Sequence, residues 1–174
     1  MNIVIVGFMG TGKTTIAQAL AKELGLKYIA TDEVIEDKEK RSINDIFKRN
    51  GEAYFRLIER EVVKKVSELD KFVIDAGGGV VLAQENIDNL KRNGRLVCLR
   101  ARAEVILERT KRFRHRPLLN SKNPQGKIES LLKLREPFYA QADFFIDTSD
   151  MPQEEIVQEI KRKIRDCFSE SKEN

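Results

Sequence analysis

Residues 7–14 of the chain read Gly7-Phe8-Met9-Gly10-Thr11-Gly12-Lys13-Thr14, which matches the phosphate-binding pattern G-x-x-x-x-G-K-S/T at every fixed position. The stretch lies between a β-branched apolar run, Ile3 to Val6, and a helical pattern from Lys13 to Leu24. Glycines allow consecutive backbone N–H groups to turn toward one anion, and the following helix adds the positive end of its dipole. The stretch therefore predicts a nucleotide-binding loop between a first strand and a first helix.

The loop supplies six candidate nucleotide ligands, which are Gly10, Thr11, Gly12, Lys13, Thr14 and Thr15. We expect Lys13 to reach the β- and γ-phosphates of ATP, and the Thr14 hydroxyl to bind Mg²⁺. The loop alone does not distinguish a kinase from another nucleotide-hydrolysing protein.

Outward from the loop, strands and helices alternate along the chain. Short apolar strands are predicted near residues 3–6, 28–30, 72–74, 96–99 and 144–146. Helices are predicted near residues 13–24, 32–39, 43–50, 52–69, 83–93, 103–110, 127–141 and from 152 onward. This alternation predicts an α/β fold, a five-stranded parallel sheet with helices on both faces. We expect one domain over residues 1–168 and a polar tail at 169–174.

Composition narrows the class of protein. The 174 residues are 41% hydrophobic and 34% charged, which suits one domain with a single core. A net charge of +4 fits an anionic small molecule as well as nucleic acid. Cys98 and Cys167 show neither disulfide nor zinc spacing, which predicts a cytoplasmic location. The apolar start, residues 3–9, is too short to span a membrane, so we expect no membrane association.

A second group of residues points to a phosphate acceptor. Asp32 follows the second strand and Gly77-Gly78-Gly79 follows the third, where ligands bind in open α/β sheets. Arg56 and Arg135 lie on predicted helices. Two arginines and a glycine-rich turn suit a carboxylate, and a single aspartate suits a hydroxyl that it orients or deprotonates. Each residue alone has an ordinary explanation, a helix N-cap for Asp32 and solvent exposure for the arginines.

Taken in order, these motifs resemble shikimate kinase. They are the phosphate loop, Asp32, Gly51-Glu52-Ala53-Tyr54-Phe55-Arg56, the triple glycine, Arg116-Pro117-Leu118-Leu119 and Arg135-Glu136-Pro137-Phe138-Tyr139. The resemblance runs from about Asn2 to about Pro152 and implies a P-loop kinase fold of the nucleoside-monophosphate-kinase type with a lid. It also implies transfer of the γ-phosphoryl group of MgATP to the 3-hydroxyl of shikimate.

For the acceptor, the resemblance implies a substrate-binding region at about residues 32–60. Asp32 would hold and activate the acceptor hydroxyl. The carboxylate and the neighbouring ring groups would be held by Arg56, Gly77, Gly78, Gly79 and Arg135.

For the donor, the resemblance implies a lid at about residues 111–125. From it, Arg116 would bind the nucleotide and neutralise charge on the transferred phosphoryl group. Arg109, Thr110 and the segment from Asp147 to Pro152 would form the adenine pocket. The catalytic candidates are thus Lys13, Asp32 and Arg116.

One departure from the family concerns the metal. The family usually has Asp-x-Asp after the second strand, and its first carboxylate helps to hold hydrated Mg²⁺, whereas this chain has Ala30-Thr31-Asp32. Asp75 ends the third strand, where the family usually has a small or hydroxylated residue. Because many P-loop proteins hold Mg²⁺ with a carboxylate at a strand end, Asp75 is a candidate replacement. The alternative is that Asp75 caps the following turn.

The residues leave other functions open. A different acceptor, such as gluconate or a nucleoside monophosphate, would keep the fold. The basic run from Arg109 to Arg116 would also suit an ATP-dependent nucleic-acid-binding or regulatory module, although Phe113 is its single aromatic residue. That module gives no role to Arg56 or Arg135. We therefore expect a small-molecule kinase without a nucleic-acid partner, and a monomer.

Overall fold

The computed structural model describes residues 1–111 and 123–170. Within these ranges the chain forms five strands and seven α-helices. The strands are β1 (Asn2–Gly7), β2 (Lys27–Ala30), β3 (Phe72–Asp75), β4 (Gly94–Arg100) and β5 (Phe144–Asp147). The helices are α1 (Lys13–Leu24), α2 (Thr31–Glu39), α3 (Ile43–Ser67), α4 (Gln84–Arg92), α5 (Ala103–Thr110), α6 (Pro124–Tyr139) and α7 (Gln153–Glu170).

The strands form one parallel sheet in the order β2-β3-β1-β4-β5. This confirms the predicted α/β fold with a five-stranded parallel sheet. All six residues of β1 are buried, because β3 and β4 flank this strand and helices cover both faces. The carboxyl ends of parallel strands meet at one edge, so the segments that follow β1, β2 and β3 lie close together.

Alternate residues of β1 face the two helical layers. Val4 and Val6 belong to a core cluster with residues of α3 and α4, such as Val62 and Leu90. The residues that alternate with them, Ile3 and Ile5, pack with α1 and α7. A third, smaller cluster joins Phe8 of the phosphate loop to Ile106 of α5 and Ile128 of α6. The phosphate loop is therefore anchored through Phe8, which packs against α5 and α6 in a cluster separate from the two larger ones.

Local sequence signals set several helix ends. Helix α1 ends at Gly25, which has a left-handed φ of 63° and donates its N–H to the Lys22 carbonyl. The Ser42 hydroxyl accepts the Asp45 N–H at 3.2 Å and caps α3. The break predicted at Gly51 is a kink inside α3, where the glycine has a φ of 80°.

Helix α6 begins earlier than predicted, at Pro124 instead of residue 127. The Asn123 side chain accepts the Gly126 N–H at 3.0 Å, and a proline fits the first helical turn because it has no N–H to leave unpaired. Pro137 lies within the helix, which continues to Tyr139.

Helix α7 extends to Glu170, so it includes the first two residues of the predicted polar tail. Most of the predicted lid, including Arg116, lies outside the described residues. Among the helices of the described ranges, none combines the length and apolar character that crossing a membrane requires.

Candidate active site

The phosphate loop follows β1 and leads into the N-terminus of α1. Gly10 and Gly12 have φ values of 76° and 91°, which side-chain-bearing residues rarely adopt. The Thr11 hydroxyl donates to the Phe8 carbonyl at 2.7 Å and holds the curl of the loop. The Lys13 ammonium donates to the same carbonyl at 3.3 Å. A glycine-rich curl, a lysine and a helix N-terminus together suit a polyphosphate.

A cleft of about 400 Å³ opens beside the loop. Its lining residues run from Met9 to Ile16 and include Arg109, Thr148, Met151, Gln153 and Ile156. Arg109 joins two walls of the cleft, because its guanidinium donates to the Gly10 carbonyl at 3.4 Å and to the Thr148 carbonyl at 2.6 Å. The Thr148 hydroxyl donates to the Thr11 carbonyl at 3.0 Å. The structure thus brings Arg109 and the segment after β5 against the phosphate loop.

Thr110 lies beneath the loop, where it is 1% exposed. Its hydroxyl donates to the Ile106 carbonyl at 2.7 Å. A Cβ on residue 10 would lie 2.8 Å from the Thr110 methyl group, so the close approach depends on Gly10. Thr110 packs against the phosphate loop at Gly10 and is not among the residues that line the cleft. Pro152 is exposed before α7, between two residues that line the cleft.

The turn after β3, Gly77–Gly79, is here called the glycine turn. A Cβ on residue 77 would collide with a carboxylate oxygen of Asp32. A Cβ on residue 79 would lie 2.5 Å from a guanidinium nitrogen of Arg56. The lack of side chains on the turn therefore lets an aspartate from α2 and an arginine from α3 approach the same backbone.

Residues of α6 reach the middle of the glycine turn. The Gly78 carbonyl accepts from the Arg135 guanidinium at 3.3 Å and from the Tyr139 hydroxyl at 3.0 Å. The Arg135 guanidinium also lies 5.3 Å from the ring centroid of Phe8. A Cβ on residue 78 would stand 3.9 Å from the Lys13 ammonium. The predicted acceptor residues and the phosphate-loop lysine thus surround one turn.

Arg56 is held by Glu59, a residue that the sequence analysis did not single out. Glu59 is 1% exposed, and both of its carboxylate oxygens accept from one Arg56 nitrogen, at 3.0 and 2.8 Å. Burial raises the pKa of Glu59, and Arg56 opposes that shift. Burial lowers the pKa of Arg56, but Glu59 and Glu52 outweigh it, so the net shift is upward and the guanidinium stays charged. The sequence does indicate that Glu59 is buried, because it lies on the same helical face as the apolar residues Phe55, Ile58 and Val62.

Asp75 connects the end of β3 to the phosphate loop. It is 7% exposed, and one carboxylate oxygen accepts from the Thr14 hydroxyl at 2.6 Å and from the Tyr28 hydroxyl at 3.3 Å. Burial, and then the negative charge of Asp75, raise the pKa of Tyr28, so the phenol remains a donor at neutral pH. Asp75 therefore contacts the hydroxyl that is expected to bind the metal.

Several known proteins that are similar to this chain are shikimate kinases. The family model described as shikimate kinase matches residues 9–165. A shikimate kinase from Thermodesulfovibrio yellowstonii is 46% identical over 91% of this chain and 92% of its own length. Another, from Thermoanaerobacter pseudethanolicus, is 46% identical over 91% of this chain and 93% of its own length. A solved shikimate kinase from Acinetobacter baumannii, in complex with shikimate, superimposes with a TM-score of 0.89 at 37% identity, covering 95% of this chain and 93% of that one.

Proposed function

This chain belongs to the shikimate kinase family, and on that premise we propose that the cleft and the glycine turn are the two halves of its active site. The family, and an ATP-dependent kinase acting on an alcohol group of shikimate, were predicted from the sequence motifs and are confirmed. One observation supports the residue assignment most strongly. Asp32, Arg56 and Arg135 all reach the glycine turn, and Lys13 lies at the same turn.

On the donor side, the phosphate loop binds the polyphosphate of ATP, and Arg109 helps to shape the nucleotide cleft. Lys13 stabilises the negative charge that develops on the γ-phosphoryl group during its transfer toward the glycine turn, because it is a fixed cation at that turn. Arg116 would add a second cation from the predicted lid. That role rests on the resemblance to the family, since residue 116 lies outside the described ranges.

On the acceptor side, Arg56 and Arg135 bind the carboxylate of shikimate, because two guanidinium groups supply charge-assisted donors in planar geometry. Glu59 keeps Arg56 in one orientation. Asp32, in the first turn of α2 and exposed to solvent, accepts a hydrogen bond from the 3-hydroxyl and takes its proton. Transfer then joins the acceptor oxygen to the γ-phosphorus, and ADP leaves.

Mg²⁺ fits the oxygen groups at the loop. No group of three or more histidine, cysteine, aspartate or glutamate side chains that could hold a metal occurs in the part of the chain that the structure describes. Mg²⁺ does not need one, because it keeps several waters and takes further ligands from the phosphates of the nucleotide. The Thr14 hydroxyl would bind it directly. When bound, the ion neutralises charge on the β- and γ-phosphates.

We also infer a monomer in the cytoplasm without a nucleic-acid partner. The mild net charge suits an anionic small molecule, and the spacing of Cys98 and Cys167 is typical of neither a disulfide framework nor a zinc site.

The acceptor is tested by measuring ATP consumption at saturating Mg²⁺ with shikimate, gluconate and nucleoside monophosphates supplied separately. We expect turnover with shikimate alone. Turnover with gluconate or a nucleoside monophosphate, and none with shikimate, would retain the kinase fold and contradict the assignment of Arg56 and Arg135 to a shikimate carboxylate.

Replacing Gly79 by alanine is expected to lower kcat/KM for shikimate by up to about 10²-fold, because small displacements of substrate-positioning groups have effects of that size. The new methyl group would displace the Arg56 guanidinium, which lies 2.5 Å from its position. Steady-state kinetics with each substrate varied in turn provide the measurement. The KM for ATP should change little.

Gly78→Ala is the matched comparison, because its added Cβ would meet nothing nearer than 3.7 Å. It should have the smaller effect of the two. Equal losses in both variants would mean that the turn tolerates no methyl group for reasons unrelated to Arg56.

A further inference from the structure

An acidic residue, Asp75, ends β3 beside the end of β2. Ala30 is the last residue of β2 and pairs in register with Asp75. Neighbouring strands of a sheet are about 4.8 Å apart, and paired residues of parallel strands point to the same face. The Asp75 carboxylate therefore lies on the same face of the sheet as the Ala30 methyl group, one strand away.

The position of Asp75 in the sheet matters, because β3 lies between β2 and β1. A carboxylate on β3 is one strand nearer to the phosphate loop that follows β1. The structure reflects this proximity, since the Thr14 hydroxyl donates directly to Asp75 at 2.6 Å.

Resting on the proposed function, we propose that Asp75 is the positioning residue for Mg²⁺ in this chain, acting through the Thr14 hydroxyl. A threonine hydroxyl has one proton and two lone pairs, so Thr14 can donate its proton to Asp75 while a lone pair binds the ion. The hydrogen bond fixes the direction of that lone pair, and the negative charge of the carboxylate makes the hydroxyl oxygen a stronger ligand. An uncharged acceptor at residue 75 would keep the first effect and lose the second. Groups that orient a metal ligand in this way typically change metal affinity or activity by 10- to 100-fold when they are replaced.

The turn-cap alternative for Asp75 is not supported by the hydrogen bonds of that turn. The Ala76 N–H donates to the Ile5 carbonyl at 3.0 Å. The Gly77 N–H donates to the Thr31 hydroxyl at 2.9 Å. The Gly77 N–H, which is two residues on and is the group that an aspartate cap would satisfy, thus has another acceptor. The Asp75 carboxylate accepts from Thr14 and Tyr28 instead.

The proposal is tested by calorimetric titration of the whole protein with a non-hydrolysable ATP analogue, in EDTA and at a series of free Mg²⁺ concentrations. The apparent Mg²⁺ dissociation constant follows from the metal dependence of nucleotide affinity. We expect Asp75→Asn to raise it about 10- to 100-fold while leaving the affinity measured in EDTA nearly unchanged. Asp88→Asn, which removes an exposed carboxylate on α4, is the control and should behave as the wild type.

A second pair of variants tests whether the carboxylate charge at this end of the sheet is what matters. Asp75→Ser keeps a hydrogen-bond acceptor for Thr14 without the charge, and should also weaken Mg²⁺ binding. The double variant Ala30→Asp/Asp75→Ser places a carboxylate on the neighbouring strand β2 and should recover most of the lost metal affinity. Because a serine is small, this pair also serves if Asp75→Asn does not fold.

Unchanged Mg²⁺ affinity in Asp75→Asn or Asp75→Ser would overturn the proposal. Equal losses of nucleotide affinity with and without Mg²⁺ would overturn it as well, because they would mean that Asp75 only shapes the loop. The titrations contain no acceptor, so they do not depend on which molecule is phosphorylated. A failure of the shikimate assignment would appear in the acceptor assay alone.

Discussion

Asp32→Asn is expected to lower kcat for shikimate phosphorylation by about 10²- to 10⁴-fold, the range for removal of a group that transfers a proton in the transition state. Asparagine has nearly the same shape and can still accept a hydrogen bond from the acceptor hydroxyl, but it cannot take the proton. The effect should therefore appear mainly in kcat, with a small change in the KM for shikimate. A coupled assay of ADP release measures both constants.

The matched control for this variant is Glu33→Gln, the neighbouring exposed carboxylate on α2. It should retain wild-type kcat, and nucleotide affinity should be unchanged in both variants. A kcat within about threefold of wild type for Asp32→Asn, well below the range for proton transfer, would show that Asp32 binds the hydroxyl without deprotonating it.

Lys13→Met is expected to lower kcat by about 10²- to 10³-fold, comparable to the loss of one fixed donor to a developing negative charge. Methionine keeps the length and apolar stem of lysine, so the packing beside Phe8 should survive while the positive charge is lost. The charge matters because Lys13 stands between the phosphate loop and the glycine turn, where the phosphoryl group must pass. Single-turnover measurement at saturating ATP separates this effect from weaker nucleotide binding.

Lys22→Met, in the last turn of the same helix, is the control for loss of one lysine charge. Its turnover rate should equal that of the wild type. If Lys13→Met affected only the KM for ATP, Lys13 would bind the ground-state nucleotide without stabilising the transition state.

Much of the fold was predictable because its signals are local. The β-branched run of β1 and the glycines around α1 mark those elements, and the observed bounds of α1, Lys13–Leu24, are the predicted ones. The predicted start of α6, residue 127, lies three residues after the observed start at Pro124. Asn123 as the N-cap and a proline in the first turn form an ordinary helix beginning. Gly51 correctly marks a change in chain direction, but the two predicted helices on either side of it form one kinked helix, α3.

The site was less predictable, because its contacts join distant parts of the chain. The residues around the glycine turn were named from motifs, but their meeting depends on the strand order. Thr110, predicted in the adenine pocket, also packs against Gly10, a contact that its place in the sequence does not indicate. The bond between Thr14 and Asp75 spans 61 positions and requires β3 to lie beside β1. Local periodicity cannot give that order.

The glycine turn has a consequence for how this active site can evolve. Any substitution at Gly77 or Gly79 adds at least a Cβ, which would displace Asp32 or Arg56 respectively. Single mutations at these two positions therefore cannot adapt the pocket to a new acceptor without also disturbing the groups that hold the present one. A change of acceptor preference is therefore expected to begin in the helical walls of the pocket, α3 and α6, and not at the two glycines of its floor.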